Sequence, residues 1–137
     1  MAKRNCAVIA FIAFILMMVG VRFSFNGLIN FTRDGQAYYC YDKFDNEEKR
    51  DEIPLLNARG KYEKVELIGG VKRARKLIED MRVTIVKREK VDNIEIIYGL
   101  SPFLDTNTTT TFGTINIMMA ISGEKLSVGT PLLKGSY

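Results

Sequence analysis

The chain has no histidine. That removes Ser-His and Cys-His nucleophilic pairs, imidazole acid-base catalysis and His-ligated metals from the chemistry it can perform. Cysteine is scarce, with only Cys6 and Cys40 among 137 residues. Two cysteines so far apart make neither a zinc site nor a disulfide framework. Cys40, in Tyr38-Tyr39-Cys40-Tyr41, reads as a buried thiol, with pairing between chains as the alternative. Charge of one sign is also lacking. Of the 20 basic residues, Lys3 and Arg4 sit at the tip, so 18 face the 16 acidic ones in the rest of the chain. A near-balanced remainder gives no electrostatic footprint for nucleic acid. No metal-ligand spacing, phosphate loop or cofactor fingerprint occurs, so no catalytic residue, no metal site and no cofactor is expected.

One long hydrophobic run stands out. Cys6 to Val21, CAVIAFIAFILMMVGV, follows the basic opening MAKRN. As a helix it is about 24 Å long at 1.5 Å per residue. Carried on to Phe25 it reaches the ~30 Å of a bilayer core. Arg22 then lies one turn from the outer end, where its stem can snorkel to the headgroups, with Phe23 and Phe25 at the boundary. A cleaved signal would need small residues at −3 and −1. No such triplet follows the run, so the reading is an uncleaved signal-anchor over 6–25 with a cytoplasmic tip at 1–5. Lys3 and Arg4 hold that tip inside by the positive-inside rule, leaving the bulk of the chain extracytoplasmic in the cell envelope.

Beyond the anchor the pattern divides in two. Residues 26–60 read as a membrane-proximal and charged linker region, with a strand in QAYYCY and a solvated run DKFDNEEKRDE from Asp42 to Glu52 before Pro54. Residues 61–137 read as one α+β extracytoplasmic domain. KYEKVELI is a strand with Val65 and Leu67 on one face, and Gly69-Gly70 ends it. VKRARKLIEDMR is an amphipathic helix whose Val71, Ala74, Leu77, Ile78 and Met81 share one stripe. RVTIVKREKV and IEIIYGL form strands joined at Asp92-Asn93. FGTINIMMAI and KLSVG are two more, turned at Ser122-Gly123-Glu124. The expected fold class is α+β: an N-terminal transmembrane helix, then an antiparallel sheet with one helix packed on it. The helix stripe is expected to meet Ile94, Ile96, Ile115, Ile117 and Val128.

The helix also carries the candidate site. Lys72, Arg73, Arg75 and Lys76 crowd its first half, while Glu79 and Asp80 come late, against the preference of the macrodipole. With the Gly69-Gly70 turn and the open N–H groups of a helix start, these cations could hold an anion. The plain alternative is a solvated face, paired as Arg75–Glu79 and Lys76–Asp80. A Ser-Lys dyad could draw on Ser101, Ser122, Ser127 or Ser136, but the glycine-proline-glycine-aspartate signature of membrane-anchored signal peptidases is missing. The triplets Asn30-Phe31-Thr32 and Asn107-Thr108-Thr109 fit the glycosylation pattern, which short sequences match by chance.

The closing segment from Val128 to Tyr137, VGTPLLKGSY, taken with Ile97-Tyr98-Gly99-Leu100-Ser101-Pro102, resembles small uncharacterised single-span envelope proteins of Gram-positive bacteria. The resemblance lies in the second half of the chain. It implies a bacterial envelope location and carries over no functional residue. The expected role is a non-catalytic binding or interaction domain held at the membrane. Its partner is then another envelope protein or an anionic envelope component, and not nucleic acid. Two alternatives stand beside it: a cytoplasmically oriented module that binds anions or lipid, and a Ser/Lys-type enzyme.

Overall fold

The computed structural model describes residues 2–25, 27–41, 47–50 and 62–134, with backbone only at 2, 19–25 and 48–50. Helix α1 is Ala2–Phe25 and α2 is Leu28–Phe31. Strands β1 (Ala37–Tyr41), β2 (Glu47–Arg50) and β3 (Tyr62–Ile68) follow, then helix α3 (Gly70–Asp80). The chain continues with β4 (Thr84–Val91), β5 (Ile94–Leu100), β6 (Thr108–Thr110), β7 (Gly113–Ile115), β8 (Ile117–Ser122) and β9 (Lys125–Thr130). Seven strands form one sheet in the order β2-β1-β3-β9-β8-β5-β4, each pair antiparallel. β6 and β7 form a separate hairpin. The class is α+β, with α3 laid across one face of an antiparallel sheet, as the hydrophobic periods require.

The main core lies under α3. Ala74, Leu77 and Met81 are buried against Val65, Leu67, Ile117, Met119, Ile121, Leu126 and Val128, with Ile78 half-buried beside them. Alternation predicted this face for β3, β8 and β9. On β5 it pointed the wrong way. Ile97 meets the helix side, whereas Ile96 packs on the opposite face with Met118, Ala120 and Leu133, and Ile94 borders that second cluster. IEIIYGL carries isoleucine on both faces, and both faces are covered at this strand, so alternation alone could not assign it. Ile115 is buried, but in β7 and outside both clusters. Val71, expected in the core, is 45% exposed at the first turn of α3.

The region read as a linker contributes to the sheet. β2 (Glu47–Arg50) pairs with β1, and β1 pairs with β3. Leu28, Ile29 and Tyr38 are fully buried in the main core. A short, highly charged strand is a suitable outer edge, because charge discourages further pairing. The rest of the DKFDNEEKRDE run and Pro54 lie outside the described residues, as do Gly135, Ser136 and Tyr137.

α1 spans 24 residues, and its described side chains, residues 3–18, are all exposed. Among the described residues no helix is long and apolar enough to cross a membrane. In the outer part of the expected span, residues 19–25, the helical backbone is described, and the side chains, those of Arg22, Phe23 and Phe25 included, lie outside the described set. Where α1 gives way to the domain, the Gly27 N–H donates to the Phe103 carbonyl at 3.1 Å, and the Phe31 and Phe103 rings lie 5.4 Å apart. The exit from α1 is thus fixed to the loop after β5.

Candidate functional site

The Gly69-Gly70 turn brings α3 onto the β8–β9 turn. Gly69 has φ 119° and Gly70 has φ 50°. Both backbone N–H groups donate to the Glu124 carbonyl, at 2.9 and 3.1 Å. Two of the donors expected to face an anion are therefore used inside the fold. Glycine is required by contact as well as by angle: a Cβ on Gly70 would lie 2.3 Å from the Gly123 oxygen.

Arg73 has a structural task that the sequence did not suggest. Its Nε and Nη2 donate to the two carboxylate oxygens of Asp34, at 3.0 and 2.7 Å, and Nη2 also donates to the Phe31 carbonyl at 3.0 Å. The side chain is only 14% exposed. This two-point guanidinium–carboxylate geometry is the strong form of an ion pair. It ties α3 to the segment that leads from α1 into β1. The hydrogen bond from Arg73 holds the Asp34 carboxyl below its ordinary value, opposed by partial burial. A paired Arg and Asp separated by 39 positions leave no periodic signal in a sequence.

The six candidate residues are therefore divided. Gly69, Gly70 and Arg73 serve the fold, and Lys72, Arg75 and Lys76 remain exposed. Neither Arg75–Glu79 nor Lys76–Asp80 closes to an ion pair among the described residues. Instead Arg75 lines a groove of about 100 Å³ between α3 and the sheet, together with Val71, Ala74, Ile78, Arg88, Glu95, Ile97 and Ile121. The floor is apolar and the rims carry two guanidinium groups. Arg88 reaches Glu95 at 3.2 Å.

Neutralising Lys72 and Arg73 should have opposite effects. Lys72→Gln relieves a dipole conflict and should leave stability level or slightly higher. Arg73→Gln should lower it by about 1.5–3 kcal/mol, the range for hydrogen bonds to charged groups. Because the Asp34 pKa is depressed, the pair's contribution is full above the unfolded carboxyl value of 3.8 and fades as pH falls through the lower folded one. Urea unfolding of wild type and Asp34→Asn at pH 7 and pH 3 checks this. The gap between them should shrink at pH 3, and a constant gap would contradict the pairing.

At the opposite end of the domain, near Phe103, a buried polar knot closes the structure. Asn116 accepts from the Ser101 N–H at 2.7 Å and donates to the carbonyls of Ser101 and Leu104. The Ser101 hydroxyl donates to the Met81 carbonyl at 2.7 Å and accepts from the Phe103 N–H. It is committed to structure, not to a lysine. Ser127 is buried within β9, Ser122 lies opposite Lys125 in the β8–β9 hairpin, and Ser136 lies outside the described residues. Among the described residues no cluster of His, Cys, Asp or Glu is placed to hold a metal ion.

No family model, curated protein or solved structure matches the chain. The reading of the site rests on its geometry.

Proposed function

We propose that this chain is a single-pass envelope protein, anchored by residues 6–25, whose extracytoplasmic α+β domain binds a partner without catalysis. One observation carries the reading. The described apolar residues of α1 are exposed, Val8, Ile9, Phe11, Ile12, Phe14 and Leu16 among them, and none belongs to either core cluster. A helix apolar all round needs apolar surroundings, and the domain does not supply them. The proposed anchor, residues 6–25, takes up all of this helix but the tip, about 30 Å at ~1.5 Å per residue. The exposed cations of α3 and the groove beside them are the features that favour binding over chemistry.

The inverted arrangement, with the basic helix in the cytoplasm against anionic lipid, fits the geometry less well. α1 leaves the domain beside Phe103, at the end of the sheet where α3 finishes and β4 begins. The start of α3 is held at the opposite end, against the β8–β9 turn. Of its cations, Arg73 is spent on Asp34 and Phe31, and Lys72, Arg75 and Lys76 belong to the half of α3 that starts at that far end.

Membranes from expressing cells should retain the chain through carbonate extraction, with Met1 or Ala2 at its amino terminus. A mature terminus between Ser24 and Asn30 would identify a cleaved signal instead. Orientation can be read from Asn93→Cys in a Cys6→Ser, Cys40→Ser background, because Asn93 is exposed at the β4–β5 turn and the new thiol is then the one thiol in the chain. An impermeant thiol reagent should label this cysteine in intact cells. Labelling only after lysis would invert the topology.

A further inference from the structure

We propose that the groove between α3 and β4–β5 takes an acidic, extended segment of a partner protein, inserting one aliphatic side chain between two arginines. This rests on the reading of the domain as an anchored binding module and names the site and the chemistry of its partner. Ala74 and Ile78 of α3 face Ile97 and Ile121 of the sheet across a space with room for one aliphatic side chain. Ala74, Ile97 and Ile121 close its bottom as buried core residues, and Val71 and Ile78 supply its more open apolar wall.

Charge selects the partner. Arg75 stands on the helix rim and has no ion-pair partner among the described residues. Arg88 stands on the strand rim with its side chain 55% exposed, and meets the one carboxylate in the lining, Glu95. Lys72 and Lys76 on α3, and Lys90 opposite Glu95 in the β4–β5 register, add positive charge along the same two elements, against Glu79 and Asp80 at the far end of α3 and Glu89 on β4. Guanidinium groups with open donors recognise carboxylates. A phosphate-rich polymer would satisfy the rims but leave the apolar floor unfilled, so a polypeptide is the better match. The groove takes its lining from the Arg88–Glu95 end of the β4–β5 hairpin, whereas the Gly27–Phe103 junction follows the other end of β5.

The probe is an acetylated peptide with a single leucine flanked on both sides by glutamates. Its binding is followed on the full chain in nanodiscs by amide chemical shifts and by fluorescence anisotropy. Shifts should concentrate at Ala74, Ile78, Ile97 and Ile121, and affinity should fall steeply as salt rises. Replacing the peptide leucine by glycine should weaken binding by about tenfold or more, as expected for losing one buried aliphatic side chain. The double substitution Arg75→Glu and Arg88→Glu should transfer preference to the same peptide with lysines in place of glutamates. Shift mapping on the wild-type chain keeps the question open to test if that variant does not fold. Failure of the chain to enter nanodiscs counts against the anchor. Entry without peptide binding, equal binding of acidic and basic peptides, or tighter binding of polyphosphate at these residues would each overturn the present proposal.

Discussion

Leu77→Ala will destabilise the domain by about 2–5 kcal/mol, the range for truncating a buried leucine where the surroundings cannot collapse into the space. Leu77 is fully buried at the centre of the α3 stripe, in the cluster shared by β3, β8 and β9. Such a loss is a large part of the ~5–15 kcal/mol that separates a folded domain from its unfolded chain. Urea or thermal unfolding followed by circular dichroism measures it. Val71→Ala on the same helix is the control. Val71 is 45% exposed, and its truncation should stay near the ~0.5 kcal/mol of ordinary surface changes. Equal losses at the two positions would mean that α3 does not pack on the sheet by this stripe.

Gly70→Ala should cost about 2–4 kcal/mol, for two separable reasons. The left-handed backbone, φ 50°, costs a residue with a Cβ about 1–2 kcal/mol. The Cβ would also stand 2.3 Å from the Gly123 oxygen, forcing the helix start away from the β8–β9 turn. That motion strains the two hydrogen bonds to the Glu124 carbonyl, each worth roughly 0.5–1.5 kcal/mol. Gly123→Ala separates the terms. Gly123 has a similar φ of 59°, but a Cβ there would meet nothing within 4 Å. It should show the conformational cost alone. If Gly70→Ala is no worse than Gly123→Ala in the same unfolding assay, the close approach at the helix start contributes nothing.

Much of the fold was legible because amphipathic periods are local. The stripe Ala74, Leu77, Ile78 and Met81 recurs at helical spacing, and Val65 with Leu67, or Leu126 with Val128, at strand spacing. The Asp92-Asn93 turn was readable in the same way, and Asp92 takes the positive φ of 55° that such a turn uses. Where periodicity gives two answers the reading failed. β5 has isoleucine on both faces, and only the arrival of Leu133 on one side and α3 on the other decides which residue meets which cluster. FGTINIMMAI looked like one strand, but Asn116 divides it into β7 and β8 by turning inward to bind Ser101 and Leu104. An asparagine at a polar position of an alternating run carries no mark of being buried.

By itself, then, the sequence determined helix α3 and strands β3, β4, β5 and β9, the α+β class and the absence of imidazole chemistry, because each depends on neighbours along the chain or on composition. Tertiary structure alone decided the candidate site. It withdrew Arg73 to Asp34 and the Gly69 and Gly70 N–H groups to Glu124, and it set Arg75 opposite Arg88 across an apolar floor. Those pairings join residues far apart in the chain. What an exposed cation does is fixed by the groups that folding brings within hydrogen-bonding reach, and a charge written in a sequence does not name its partner.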